Sequence, residues 1–309
     1  MIGSGVPAAR PLPTGSENGP SRLRALRIAR VSRVVSNLER SKAFYEELGF
    51  RAWPRRRCDT ATLVALGLPD HAAEEIVVRL GTDDLALVRF AALGAPYPPD
   101  SRSNDLWFQH LAIVVNDMDA AYARLSSCGG WTSISEGGPQ LLPPSNGSVR
   151  AFKFRDPDGH PLELIWFPPG QGRAVWHRNA PATIFLGIDH SALSVAFTPK
   201  SRNFYSALGL HVTDQTLNKG PAQAQLDGIL DVRVRVTGMR TPSDRGPGLE
   251  LLGYQPAGRR GGPTLPFDLV TDWVTFAATP FAGVSAVRDP DGHLLLMMDH
   301  RAGSIMLPA

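Results

Sequence analysis

Two stretches of this chain are near copies of one another. Residues 36–50, SNLERSKAFYEELGF, align with residues 196–210, AFTPKSRNFYSALGL, at an offset of 160 (Tyr45 to Tyr205). Ser41, Phe44, Tyr45, Leu48 and Gly49 recur as Ser201, Phe204, Tyr205, Leu208 and Gly209. Self-similarity at fixed spacing means that one supersecondary unit is used more than once, which restricts the available folds more than composition does. Each copy follows a strand pattern (ARVSRVV, HSALSVA) and reads as a helix with its Phe-Tyr pair on the inner face and Gly at its C-terminal end. A third start, HLAIVVNDMDAAYARLSSCGG from residue 110, is a strand entering a helix with Asn116 or Asp117 as N-cap.

Each start runs through short strands to a terminal one: DDLALVRF (83–90), GHPLELIWF (159–167), GLELLGY (248–254) and GHLLLMM (292–298). The fourth unit is abbreviated, with a strand near 272–277 and no room for a normal helix. Pro/Gly-rich connectors at 94–103, 168–174 and 255–263 are too short to be free linkers, so the units should pack tightly.

Two of the terminal strands open on the same six letters: RDPDGHPLELIW at 155–166 and RDPDGHLLLMMD at 288–299. Pro157 and Pro290 set φ, the Asp caps the backbone, and Gly159 and Gly292 take φ > 0, so His160 and His293 read as turn residues. Beyond the turn, Glu163 stands where its twin has Leu296. A carboxylate in a buried strand is costly unless something pairs with it.

Composition narrows the function. With 43% hydrophobic and 20% charged residues and a net charge of +3, the chain has the profile of a globular protein of about two domains. No run of 18 apolar residues exists, so no membrane span is expected. Cys58 and Cys128 are isolated, which argues against a disulfide framework or thiolate metal site. Basic runs at Arg22, Arg24, Arg27, Arg30 and Arg33, and at Arg55, Arg56 and Arg57, lack aromatic interleaving. They read as solvated surface or an anion-tolerant rim, and no nucleic-acid partner is expected. Residues 1–24, rich in Gly, Pro and Ser, read as a disordered tail rather than a secretory signal, and 301–309 as a second tail. The expectation is a cytoplasmic monomer or homodimer acting on a small molecule.

The pattern strand, (S/N)(D/N)LERSxxFYxxLGF, then RDPDGHxxEL resembles the vicinal oxygen chelate superfamily over roughly residues 27–300. That group includes glyoxalase I, extradiol ring-cleavage dioxygenases, methylmalonyl-CoA epimerase and bleomycin-resistance proteins. The resemblance implies an α+β fold of four βαβββ-type modules, the fourth abbreviated, paired into two cup-shaped curled sheets. Along the chain, modules 25–95 and 105–167 make a first glyoxalase-like domain (25–167), 168–186 a connector, and modules 187–256 and 263–300 a second domain (187–300).

Each module of that family offers two inward positions, at the start of its first strand and in the middle of its last. Counting back 15 residues from Tyr45, Leu125 and Tyr205 gives Arg30, His110 and His190. The matching positions in the last strands are Ala86, Glu163, Glu250 and Leu296; the first strand of the fourth unit stays open between Leu265 and Asp272. Imidazole and carboxylate suit one divalent metal ion, whether Zn, Ni, Co, Mn or Fe, whereas Arg, Ala and Leu ligate nothing. If the first module pairs with the second, the competent residues split into two incomplete sites. If the second pairs with the third, His110, Glu163, His190 and Glu250 converge and the outer modules form a packed cup. Tandem glyoxalase I enzymes, which this chain resembles in module count, use the latter arrangement, and it is the one expected.

The resemblance then implies a metal-dependent lyase, isomerase or epimerase. It would act on a small α-oxygenated substrate chelated through two oxygens, with Glu163 or Glu250 as the proton-transfer base. The alternatives are an extradiol-type dioxygenase using iron, and a non-catalytic small-molecule binding or resistance protein that needs no metal. Candidate substrate-pocket residues are Gln109, Asn146, Lys153 and Phe154 from the second unit, with Asn218, Gln223 and Tyr254 from the third. The run NKGPAQAQLDG (218–228) reads as an amide-rich loop.

Overall fold

The computed structural model describes residues 23–178, 183–243, 245–262 and 264–301. The expected tails therefore lie almost wholly outside the described residues. The first module comprises β1 (Arg24–Val34), α1 (Leu38–Glu47), short β2 (Arg51–Ala52) and β3 (Arg56–Arg57), α2 (Thr60–Ala65), β4 (Ala73–Leu80) and β5 (Asp83–Phe90). The second has β6 (Gln109–Val115), α3 (Met118–Ser127), β7 (Thr132–Ser133), β8 (Gln140–Leu141), β9 (Arg150–Arg155) and β10 (Pro161–Trp166). The third has β11 (Phe185–Ser194), α4 (Thr198–Ala207), β12 (His211–Lys219), α5 (Pro221–Asp227), β13 (Arg233–Arg240) and β14 (Gly248–Gln255). The fourth is three strands, β15 (Asp272–Thr279), β16 (Val284–Arg288) and β17 (Leu294–Asp299), with no helix between the first two.

Pairing joins these modules inside out. One sheet runs β16-β17-β15-β1-β5-β4-β2, with β3 also on β4, and so unites the first and fourth modules. The other runs β12-β13-β14-β11-β6-β10-β9-β7, with β8 on β9, and unites the second and third. The division at 25–167 and 187–300 thus follows chain order, while each curled sheet takes one module from either half. Both seams are antiparallel and carry bulges at matching places, between Ile28 and Arg30 in β1 and between Ile188 and His190 in β11. No helix among the described residues is long and apolar enough to cross a membrane.

Period-two alternation decides what each strand presents to which side. On β6, Leu111, Ile113 and Val115 enter the main core with α1, α3 and α4, joined by Leu162 and Leu164 of β10. Each such fully buried side chain contributes about 1.5–3 kcal/mol relative to exposure. His110, Ala112 and Val114, with Glu163 and Ile165, are left on the opposite, concave face. In the first–fourth sheet the concave face is plugged by Val34, Ala86, Trp273 and Leu296, all buried in a single cluster.

The two DPDGH turns are alike. Asp156 Oδ1 accepts from the amides of Asp158 and His160 at 2.9 and 3.0 Å, and Asp289 Oδ1 from those of Asp291 and His293 at 2.9 and 3.0 Å. Gly159 and Gly292 sit at φ 95° and 101°.

Two expectations need correction. Arg33 is not on a solvated face: it is fully buried, its Nε 3.1 Å from Asp272 Oδ2, with Nη1 donating to the Tyr45 hydroxyl at 2.8 Å and Nη2 to the Pro161 carbonyl at 2.7 Å. Its neighbours come from three modules, so its surroundings could not be read from local charge pattern. Residues 218–228 are not a loop. Asn218 and Lys219 finish β12, and Pro221–Asp227 form α5 between Gly220 (φ 94°) and Gly228 (φ 62°). Pro at the first helical turn and Gly just past the end are the ordinary bounds of a helix, and the amides masked them.

Candidate metal centre

The seam between β6 and β11 sets the site. His110 starts β6, His190 lies on β11, and their registers (His110 opposite Ala192, His190 opposite Ala112) bring the rings together at a centroid separation of 5.5 Å. Glu163 on β10 is the neighbour of Ala112, and Glu250 on β14 that of Ala192, so each carboxylate projects beside one imidazole. The two Nε2 atoms stand 3.4 Å apart. Glu163 Oε2 is 3.1 Å from His110 Nε2 and 3.6 Å from His190 Nε2. Glu250 Oε2 is 3.4 Å from His190 Nε2, more exposed, and outside the close trio of His110, Glu163 and His190.

These separations suit a shared cation. Ligand atoms each about 2.1 Å from one ion stand roughly 3.0–3.5 Å from each other; two separations within the trio, 3.1 and 3.4 Å, lie in that range and the third, 3.6 Å, just beyond it. His190 Nδ1 lies 3.1 Å from Asp189 Oδ2, and Asp189 Oδ1 accepts from Trp176 Nε1 at 2.9 Å. A carboxylate on the far ring nitrogen holds the proton there and leaves Nε2 as a lone pair facing the centre. His110 is held by packing instead, edge-on to Phe108, and its Nδ1 has no hydrogen-bond partner.

The electrostatics of the two carboxylates differ. Burial opposes ionisation of Glu163, but hydrogen bonds from both imidazoles and the Lys153 charge hold it well below the usual carboxylate range. Burial pushes Glu250 up to about 7; His190 works against that, while Glu163, Asp189 and Asp214 add to it. Burial likewise holds His110 down at about 4 against the pull of Glu163. Burial also disfavours the charged form of His190, yet Glu250, Asp189 and Glu163 outweigh it and raise that group.

All four side chains open into a cavity of about 630 Å³. The structure puts Asn146, Lys153, Asn218 and Gln223 in its lining, and Asn146 Nδ2 donates to Asn218 Oδ1 across the two modules. Gln109, Phe154 and Tyr254 do not line it. Strand parity turns Gln109 away from His110, where its amide donates to Ser191 Oγ at 3.0 Å, and turns Phe154 into the main core. Tyr254 is buried, with its hydroxyl donating to Asp227 Oδ1 at 3.3 Å.

Asp189, Asp214, Arg240 and Phe167 also line the cavity and escaped the sequence reading. For Asp189 the cause is the bulge between Ile188 and His190, which lets two successive residues face inward where alternation allows one. A bulge between Val212 and Asp214 does the same on β12.

The other sheet shows what happens without ligands. Leu111 lies opposite Leu162 and Val274 opposite Leu295, so the position matching His110 in the fourth module is Trp273, neither Leu265 nor Asp272. Arg30 stands where His190 would and pairs with Glu75 at 3.3 Å.

Comparison with known proteins agrees with this architecture. Residues 27–164 match the model of the Glyoxalase/Bleomycin resistance protein/Dioxygenase superfamily. Over those residues, somewhat under half of its length, the chain is similar to that superfamily, the vicinal oxygen chelate group. Its fold is similar to glyoxalase I from Zea mays. One point mutant of that enzyme aligns with TM-score 0.59 and 16% identity over 90% of this chain and 93% of that one. A second aligns with TM-score 0.58 and 16% identity over 93% and 97%. At that identity the likeness is one of fold. No curated protein matches the sequence.

Proposed function

We propose that the protein is a metal-dependent enzyme of the glyoxalase type, a lyase, isomerase or epimerase acting on a small α-oxygenated substrate. The observation that supports this reading is the convergence of His110, Glu163 and His190, with Glu250 beside them, on one cavity. A divalent ion there would act as a Lewis acid on adjacent oxygens of the substrate. His110, Glu163 and His190 would hold it, with Asp189 orienting His190. Glu163, hydrogen-bonded to two imidazoles and next to Lys153, is the fixed carboxylate. Glu250 reaches one imidazole, lies beside Asp189 and Asp214, and has the basicity to take a proton from the carbon next to the chelating oxygens and return it. Leu142, Val149, Ile165, Phe167, Val234 and Leu252 give the cavity an apolar side against which the rest of the substrate would pack.

The experiment is solvent deuterium exchange into α-hydroxy and α-oxo compounds, followed by NMR on the metal-loaded protein. Exchange that is lost in Glu250→Gln supports the reading; no exchange in a broad panel sinks it. A second reading is favoured by one observation: the close trio is two His and one Glu, the set that non-haem iron oxygenases use. Oxygen uptake with catechols by the iron-loaded protein would promote it.

A further inference from the structure

The two modules around the cavity are repeats, yet the walls they build differ beside the two carboxylates. Lys153 lies directly opposite Glu163 on the neighbouring strand, and Gly238 directly opposite Glu250. Side chains so placed share a face with Cβ atoms about 5 Å apart. The Glu163 side of the centre therefore carries a cation, and the Glu250 side carries no side chain at that place. Instead Asp214 fills the space: a Cβ on Gly238 would meet Asp214 Oδ1 at 2.3 Å.

Lys153 is 4% exposed and still lines the cavity. A buried ammonium is costly without a partner, and its partner comes from the other module. Nζ donates to Asp227 Oδ1 at 2.6 Å, in the last turn of α5. Asp227 also accepts from Gln223 Nε2 at 2.7 Å and from the Tyr254 hydroxyl at 3.3 Å, so its charge is shared among three donors. Asp227 itself is not part of the lining. The carboxylate of the ion pair thus lies behind a wall that Lys153 helps to form. An ammonium has three donors, and Asp227 is the one protein acceptor of Nζ among the described residues. Two N–H groups remain for whatever occupies the cavity.

We propose that Lys153 reads the negative charge of the substrate. The site then takes acidic vicinal-oxygen compounds, α-oxo and α-hydroxy acids, with the carboxylate against Nζ beside Glu163 and the exchangeable C–H toward Glu250. Neutral α-hydroxyketones gain nothing from this group. The assignment rests on the metal-centre reading above and goes beyond it by fixing substrate charge and orientation.

The test is calorimetric titration of the Co²⁺-loaded protein with oxalate, a planar acidic vicinal-oxygen probe, and with acetoin, a neutral one. Lys153→Met should weaken oxalate binding roughly ten- to a hundred-fold, the usual worth of a charge-assisted hydrogen bond. Its acetoin and Co²⁺ affinities should stay within a few-fold of wild type. Asp227→Asn keeps an acceptor oxygen for Nζ but removes the countercharge, and should bind oxalate more tightly, which a merely structural ion pair would not produce. Oxalate affinity unchanged in Lys153→Met, or unchanged or weaker in Asp227→Asn, overturns the role of Lys153 and leaves the metal centre standing. Failure of the wild type to bind Co²⁺ overturns the centre itself.

Discussion

The Tyr45 hydroxyl, on the first helix, donates to Asp156 Oδ2 at 3.0 Å in the turn of the second module, and Tyr205 makes the same 3.0 Å bond to Asp289 in the turn of the fourth. The repeated Phe-Tyr helix and the repeated DPDGH turn are thus two halves of one contact, which ties each odd module to the next and so links the two sheets. The copies are not equal. Tyr45 also accepts from Arg33 Nη1 at 2.8 Å, whereas Tyr205 has no such cation among the described residues. Tyr45→Phe leaves two buried charged groups short of a partner and should cost about 2–4 kcal/mol; Tyr205→Phe should cost about 1–2 kcal/mol. Urea unfolding of both variants checks the order.

Trp273 closes the concave face of the metal-free-type sheet, where it is 1% exposed against Ala86 and Leu296. Trp273→Ala should lower stability by about 3–5 kcal/mol through lost burial and the cavity left behind. Because the two concave faces belong to different sheets, ion binding by the folded variant should match wild type. Denaturant titration with parallel metal analysis measures both.

Asp83, buried at the start of β5 and accepting from the Ile188 amide at 3.4 Å, is pushed up to about 6, chiefly by burial. Its folded pKa lies above the unfolded value near 4. The folded state therefore holds the proton more tightly, so stability rises as pH falls from above 6 toward 4, and the ionised carboxylate is a cost above 6. Asp83→Asn keeps the acceptor and removes that cost. The variant should be more stable than wild type by on the order of 2 kcal/mol at pH 8, with the gap closing by pH 4. Thermal melts across that range check it.

The repeat was legible because its signals are local: a helix with Phe-Tyr, a Gly end, a turn of fixed letters. Counting back from Leu125 and Tyr205 gave His110 and His190 because a strand, a tight turn and a helix leave little slack, and these two rings stand beside Glu163 and Glu250, which came from the terminal strands. The count failed in the fourth module, which has no helix to count from, and Trp273 was missed. What depends on contacts between distant segments was also hidden: Arg33 with Asp272, and Lys153 with Asp227. Phe154 was misplaced although alternation with Lys153 assigns it to the other face. Bulges, which break alternation, concealed Asp189 and Asp214.

Asp189 contacts the centre only through His190. Asp189→Asn should weaken divalent-ion affinity by roughly 10- to 100-fold, the usual effect of removing such a carboxylate. Glu163→Gln should weaken it more, since it loses a ligand shared by both imidazoles, and Glu250→Gln less than Glu163→Gln. Competition with a chromophoric chelator ranks the three.

The most direct measurement is elemental analysis of the purified protein beside His110→Ala. One divalent ion per chain in the wild type, and loss of that ion in a variant that keeps its fold by circular dichroism, is the result predicted by convergence of His110, Glu163 and His190. A wild type that takes up no ion when supplied with Zn²⁺, Ni²⁺, Co²⁺, Mn²⁺ or Fe²⁺, or an ion that persists undiminished in His110→Ala, would contradict it.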